Sequence, residues 1–578
     1  METTNLSKIK RDKMLKTIDE IKKNVTDEET INNLSLIENE ITKKKYGLVW
    51  EEHEERVDKE LETQIPTFEE IKDKEIISNP KDKFNFLLEG DNLHSLYLLE
   101  KTHKGKIDLI YIDPPYNTGN KDFTYGDSIL DRNDGFRHSK WLSFMSRRLE
   151  YAKHLLSDIG FIFISIDDNE KSQLKMLCDD IFGENCFKAE FIIQSNPRGS
   201  QASKYFAIEH EYLLCYSKIS DPKINFGIEK NEYNLSEYNL VDERGRYRLL
   251  GLRQRGGEWR REQRPLLYYP IYVNPINGSV SLEKSEEYYV ESLPLRPSGE
   301  ESRWTWSKEK FKKEKDLLVG KKVNRAGQEN FYDIFRKDYL KSSDGNTKLS
   351  KIKSIWNEKE INYQNGGTEL KKYVSNSIFT YPKPLFLINK IVSSSPLYKN
   401  SIILDFFAGS GTTGQSILEM NKLDNGNRTF ILCTNDENGI CQKVTYPRIK
   451  GVITGINDQG VKAGDPLATN LKYYKTSYIS KINTEEENLN DNLMKNICNL
   501  IQLENGISID NKNIQVYYNE NDFDKFTSNQ KLLDICNKVY LSSDILITSK
   551  QKKLINDNNI EVYVIPEYYF KDEIMEVL

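Results

Sequence analysis

The 578-residue sequence has no run of about eighteen apolar residues, so nothing in it reads as a membrane span. Its opening stretch, METTNLSKIKRDKMLK, lacks the apolar centre of a secretory signal. The seven cysteines never occur as Cys-x-x-Cys, and the six histidines form no ligand spacing with them. A structural zinc site, or any metal centre built on these residues, and a disulfide framework are therefore not expected, and a reducing cytoplasm is the simple reading. Positive charge is not in excess either: 83 Lys and Arg against 89 Asp and Glu leave a net charge of −6. The chain is not coated in cationic surface, although a local nucleic-acid groove is compatible with that balance. There is no internal repeat, and no glycine-rich turn runs into Gly-Lys-Ser/Thr, so a P-loop is excluded.

What is present is a globular composition, 37% hydrophobic and 30% charged, long enough for about three or four domains. Residues 1–62 are polar and highly charged, with Leu, Ile and Val at helical spacing in IDEIKKNV and LSLIENEI. They read as a helical segment serving as an arm, a dimer contact or a cap, and Pro66 and Pro80 punctuate its exit. Strand and helix patterns then alternate over 63–218. FNFLLEG, IDLIYID, GFIFISID, EFIIQS and EYLLCYS are strand-like, and 92–103, 139–157 and about 170–182 are helical. Such alternation implies a parallel sheet covered on both faces. The pattern breaks over 219–345, which is rich in Arg, Tyr, Trp, Gly and Pro, and resumes over 346–460 with SIILDFFAG, a helix from Thr412, and RTFILCTN. Residues 461–578 read as a smaller C-terminal α/β domain, with a helix near 485–502 and strands NIQVYY and IEVYVIPEYYF.

Two loops carry chemistry. ILDFFAGSGTTGQSI turns a buried strand through glycines into a helix N-terminus, where backbone N–H groups are available to a ligand. Alone, Gly409-x-Gly411-x-x-Gly414 also fits a dinucleotide fingerprint and says only that a nucleotide-like molecule binds. The second loop, Asp113-Pro114-Pro115-Tyr116, ends the strand IDLIYI. It offers carboxylate and carbonyl acceptors, a backbone stiffened by proline and a flat ring, which suits a planar base bearing an exocyclic amino group. Such a base must leave the DNA stack to be reached, so base flipping is implied, and stacking worth roughly 1–3 kcal/mol would offset that cost. Sites on open parallel sheets form at the carboxyl ends of strands, so the two loops are expected to share a crevice although nearly 300 residues separate them.

DPPYNTGN together with DFFAGSGTTG resembles the S-adenosylmethionine-dependent DNA amino-methyltransferases. The order, DPPY loop before glycine loop, resembles the β-class, and Asp rather than Ser in the first position points to adenine N6 over cytosine N4. LLEGDNLHSL, FIFISIDDNE, EHEYLLCYSK, KKYGLVWEEHEE and YPKP further resemble the modification (Mod) subunits of type III restriction–modification systems, over nearly all of residues 45–460. The resemblance implies a Rossmann-like α/β methyltransferase fold with circularly permuted motif order and an inserted target-recognition domain at 219–345. It implies double-stranded DNA as substrate, a homodimer and a helicase–nuclease (Res) partner.

By that resemblance Asp113, Pro114, Pro115 and Tyr116 are catalytic, and Asp405, Phe407, Gly409, Ser410, Gly411 and Thr412 hold the methionine part of the cofactor. Asp436 or Glu437, with Glu437 favoured, binds the ribose; Asp91 lines the adenine pocket, unless it is simply a helix cap; Lys383 lies in the family's KP segment, unless it is an ordinary surface lysine. Residues 244–264 contain eight arginines, Arg244, Arg246, Arg248, Arg253, Arg255, Arg260, Arg261 and Arg264, among two glutamates. This run is the candidate for gripping DNA phosphates, against the plainer reading of a solvated charged hairpin. Competing readings are a nicotinamide-dependent dehydrogenase, a DNA-binding protein with a dead methyltransferase fold, the same chemistry on cytosine N4 or RNA, and a solitary methyltransferase without a Res partner.

Overall fold

The computed structural model describes residues 6–42, 50–51, 53–119, 124–125, 128–129, 135–199, 205–222, 227, 236–324, 331–341, 349–375, 377–481, 486–566 and 569. Parts of KKYGLVWEEHEE and IEVYVIPEYYF, and Asn120 of DPPYNTGN, lie outside them. The chain divides into two compact units: Met1–Asn225 with Lys353–Leu578, and Phe226–Ile352.

The first unit is built on a ten-stranded sheet. In chain order its strands are β1 (Gln64–Glu70), β2 (Phe84–Glu89), β3 (Ile107–Ile112), β4 (Leu156–Ile166), β5 (Phe187–Ile193), β6 (Glu211–Ser217), β7 (Ile355–Trp356), β8 (Ile402–Asp405), β9 (Thr429–Thr434) and β10 (Asn470–Ser480). Across the sheet they run β1-β10-β2-β9-β8-β3-β4-β6-β5-β7. Six adjacent strands, β10 to β4, are parallel. The mostly apolar strand Phe84–Glu89 is buried at every position, its Asn85 and Glu89 included, because helices cover both faces.

The sheet is mixed rather than wholly parallel. β6 is antiparallel to β4 and β5, and β1 is antiparallel to β10. The first departure arises because EFIIQS and EYLLCYS follow one another without an intervening helix among the described residues, so no crossover returns the chain to the parallel direction. Pro66, read as punctuation, lies inside β1; an edge strand tolerates the missing N–H.

The boundary at 461 is displaced too. β10 lies beyond it, yet it fills a place between β1 and β2, with Leu471, Tyr473 and Tyr474 buried. Helix Glu486–Asn505 adds Leu500, Ile501 and Leu503 to the main core. What has its own core is a three-stranded parallel sheet, Ile514–Tyr517, Lys538–Leu541 and Glu561–Val564, packed around Phe523, Phe526 and Val539. At the other end, helices Leu6–Lys22, Glu28–Thr42 and Arg56–Thr63 occupy the segment expected to be helical.

The second unit contains a four-stranded antiparallel sheet, ordered Leu318–Lys322, Tyr332–Tyr339, Gly245–Gly251, Leu240–Asp242. A three-stranded sheet of 271–273, 280–281 and 290–292 accompanies it. Trp304, Trp306, Tyr269 and Phe311 form the centre of its core. These aromatics sit in loops, an isolated bridge and the short helix Lys308–Glu314, which explains why this stretch shows no sustained helical period. The unit spans 226–352, where the sequence pattern placed its limits at 219 and 345. Among the described residues, no helix is long and apolar enough to cross a membrane.

Candidate active site

β3 and β8 are parallel neighbours, with Ile403 beside Leu109 and Leu404 beside Ile110. Their carboxyl ends therefore emerge on one edge of the sheet, and the two loops open into one cleft of about 1340 Å³. Its walls include Asp91, Asp113, Tyr116, Lys383, Phe407 and Glu437. Pro114, Pro115, Asp405, Gly409, Ser410 and Thr412 also line it; Gly411 lies beneath as the N-cap of helix Thr412–Asp424.

The acid–proline–aromatic corner is held from behind. Trp141 Nε1 donates to the Pro115 carbonyl at 2.7 Å, and buried Asn117 donates to Glu170 at 2.6 Å, fixing the chain on either side of Tyr116. The Tyr116 hydroxyl donates to Asp113 Oδ1 at 2.9 Å. Lys383 is not a surface lysine: it is 7% exposed, and its Nζ lies 3.0 Å from Asp113 Oδ1. The same ammonium donates to the hydroxyls of Tyr116 at 2.6 Å and Tyr363 at 2.8 Å, and to the Glu211 carboxylate at 3.1 Å. Burial would strip the charge from Lys383, but Asp113 and Glu211 outweigh it and push its pKa up. Burial pushes the Tyr116 hydroxyl well above its ordinary range, with Asp113 and Glu211 adding to the effect, so it stays protonated and serves as a donor.

The glycine loop owes its shape to two positive φ angles, +48° at Gly409 and +78° at Gly411, which a β-branched side chain would resist. Asp405 closes β8, accepts from Phe407 N at 3.0 Å and Thr413 Oγ1 at 2.5 Å, and is pushed up to about 7 by burial. Arg448, fully buried on helix Tyr446–Thr454, clamps the loop from below: Nη1 donates to Ser410 Oγ at 3.0 Å and Thr412 Oγ1 at 2.7 Å. Of the two acids after β9, both face the cleft, and Asp436 Oδ1 accepts from Gln442 N at 3.0 Å. Asp91 caps helix Asn92–His103 through Leu93 N at 2.8 Å and also lines the cleft. Buried Arg148 braces that end, reaching Asn92 at 2.6 Å, Glu55 at 2.8 Å and Asp91 at 3.3 Å.

The arginine run belongs to the second unit, from the turn before strand Gly245–Gly251, through that strand, to the loop and short helix Arg261–Gln263 after it. Its charge is partly neutralised. Arg248 pairs with Glu237 and Asp338, Arg253 with Asp333, Arg261 with Glu301 and Arg264 with Glu258. Arg244, Arg246, Arg255 and Arg260 are exposed. The acids at 237, 301, 333 and 338 lie outside 244–264, so counting charges within that stretch overstated the local field.

The DNA methylase family matches residues 107–442, more than half of the chain and a span that includes both loops. The chain belongs to this family. Among curated relatives of this methylase, the Type II methyltransferase M.KpnI of Klebsiella pneumoniae is 36% identical over 350 residues, covering 59% of this chain and 78% of the relative. The EcoPI Mod subunit of a type III restriction-modification enzyme from Escherichia phage P1 is 34% identical over 391 residues, or 62% and 58% of the two chains. The StyLTI Mod subunit of Salmonella typhimurium is 32% identical over 434 residues, or 69% and 61%. The match spans less than two thirds of each Mod subunit's length.

Three side chains that contact the cleft residues escaped the sequence reading: Glu211, Tyr363 and Arg448. Glu211 left a trace, an acid at the head of the otherwise apolar strand EYLLCYS. Tyr363 and Arg448 left none, because an aromatic or a basic residue on a helix is ordinarily core or surface.

Proposed function

We propose that this methylase transfers a methyl group from S-adenosylmethionine to the N6 amino group of an adenine flipped out of double-stranded DNA, as the Mod subunit of a type III restriction–modification system. The observation that carries the reading is the DPPY corner and the glycine loop meeting in one cleft from adjacent parallel strands. The donor set fits the cofactor. Asp436 and Glu437 present carboxylates suited to ribose hydroxyls, with Asp436 already engaged by Gln442. Phe407 and the N-terminus of helix Thr412–Asp424 suit the methionine part, and Asp91 suits the adenine. Bound there, S-adenosylmethionine supplies an electrophilic methyl group on a sulfonium.

The rest of the chemistry falls to the chain. The adenine amino nitrogen is a weak nucleophile because its lone pair is delocalised into the ring. Asp113 Oδ and the Pro114 carbonyl accept its two protons, favour a pyramidal nitrogen and aim the lone pair. The Tyr116 ring faces the base, and its hydroxyl, tied to Asp113, holds the ring in place. The exposed arginines of the 226–352 unit grip phosphates, and that unit reads the target. A homodimer, a Res partner and a cytoplasmic setting complete the proposal.

Long-read sequencing of DNA from cells expressing the protein tests it, with Asp113→Ala as control. N6-methyladenine at one short asymmetric site, absent in the control, is expected. N4-methylcytosine, or modification that persists in the control, overturns the assignment.

A further inference from the structure

Glu211 does not line the cleft, yet it touches two of the groups that form the DPPY corner. It is 4% exposed at the head of β6. Its carboxylate accepts from the Tyr116 hydroxyl at 3.1 Å and from Lys383 Nζ at 3.1 and 3.2 Å. The same hydroxyl lies 2.9 Å from Asp113 Oδ1, and the same ammonium 3.0 Å from it. Two carboxylates are thus bridged by one hydroxyl and one ammonium. One carboxylate would neutralise Lys383; a second, buried one costs desolvation and adds like charge beside Asp113. A structural role alone does not explain that cost, whereas a proton acceptor must be a base, close by, and sheltered from the cleft.

We propose that Glu211 receives the proton lost by the substrate's amino nitrogen, passed from Asp113 through the Tyr116 hydroxyl. This rests on the amino-methyltransfer reading above. As the nitrogen–methyl bond forms and the methyl–sulfur bond breaks, sulfur keeps the electron pair and the amino nitrogen gives one proton to Asp113. Asp113 Oδ1 hands a proton to the Tyr116 oxygen while the Tyr116 hydroxyl proton moves to Glu211 Oε2. Asp113 ends ionised, Tyr116 neutral and Glu211 protonated, so the charges balance. The groups facing Glu211 are Lys383, Asp113, Tyr116 and Tyr111, with Tyr363 beyond the ammonium. Burial pushes the Glu211 carboxyl up to about 7 against the pull of Lys383, with Asp113 adding to the rise, which suits a group that must take up and return a proton near neutrality.

The test uses the full-length protein and a duplex bearing the site found by sequencing. Single-turnover methylation should fall as pH drops below about 7 in the wild type, because protonated Glu211 cannot accept. Glu211→Gln should be about 100-fold slower at neutral pH and lack that limb. Infrared difference spectra of the protein alone should show two carboxyls titrating near 7, those of Asp405 and Glu211, and Glu211→Gln should remove one of them. Tyr116→Phe, which keeps the ring and breaks the bridge, should keep both carboxyl titrations and lose the acid limb. A wild-type rate and pH profile in either variant overturns the relay while leaving the methyltransferase reading intact. A wild type that methylates no adenine overturns that reading and the relay with it.

Discussion

Asp113 and Lys383 show how little a residue's neighbours in sequence say about its work. In the proposed mechanism Asp113 accepts from the substrate amino group, so Asp113→Ala should lower the single-turnover methylation rate about 1000-fold, as removing one preorganised polar group does elsewhere. S-adenosylmethionine affinity, measured by calorimetry, should stay within about threefold, because the glycine loop and the acids after β9 are untouched. Lys383→Met leaves Asp113 and Glu211 without their shared cation; removing one partner of a buried ion pair costs about 3–5 kcal/mol, readable by chemical denaturation. Asp405 gives a pH prediction. Burial raises its carboxyl from the ordinary 3.8 to about 7, so the folded state favours the protonated form. That contribution is complete below the ordinary value and is lost as pH rises through about 7. The melting temperature of Asp405→Asn relative to wild type should therefore climb between about pH 4 and 7, and a flat difference would show that Asp405 titrates normally. Asp113, Tyr116 and the glycines were legible because each loop is contiguous. Glu211, Tyr363 and Arg448 were not, because each acts on a residue well outside its own stretch of chain. Arg448 reaches Thr412 across 36 positions, Glu211 meets Tyr116 across 95, and Tyr363 meets Lys383 across 20.

Among the elements, strands buried on both faces were the easiest to read. β3, β8 and β9 are short, mostly apolar segments bounded by turns, interrupted only by one or two polar residues, and such segments need no partner to be recognised. β10 was missed for the opposite reason. Asn470–Ser480 mixes Lys and Tyr with apolar residues, and its partners β1 and β2 lie about 400 residues earlier, so only the assembled sheet makes it a strand. At the turn after β8, the positive φ of Gly411 is the sensitive point. Gly411→Val should cost about 1–3 kcal/mol in denaturant titrations and weaken S-adenosylmethionine binding. Unchanged binding would mean that the loop does not hold the cofactor.

Over the whole molecule, the chain divides into two compact units, and the proposed function gives the 226–352 unit the DNA contacts. A chain ending at residue 460 should fail to fold as judged by circular dichroism and proteolysis, since it lacks β10 and the buried Leu471, Tyr473 and Tyr474. A stable, cofactor-binding truncation would restore the separate C-terminal domain that the sequence suggested. For DNA binding, replacing Arg244, Arg246, Arg255 and Arg260 with Gln should reduce the salt dependence of affinity by about 0.9 in slope for each phosphate no longer neutralised. The acid-paired Arg248 and Arg261 should matter less when replaced alone, since their charge is already balanced.

By itself the sequence determined the two loops, the strand that delivers each, and the class of ligand each suits, because these depend on contiguous residues and local backbone chemistry. Only the tertiary structure decided that the loops share one edge of the sheet, that β1 and β10 complete it, and that Lys383 and Glu211 stand behind the DPPY corner. Those outcomes depend on strand pairing and on buried charge seeking a partner, and both join residues through space that the chain keeps far apart.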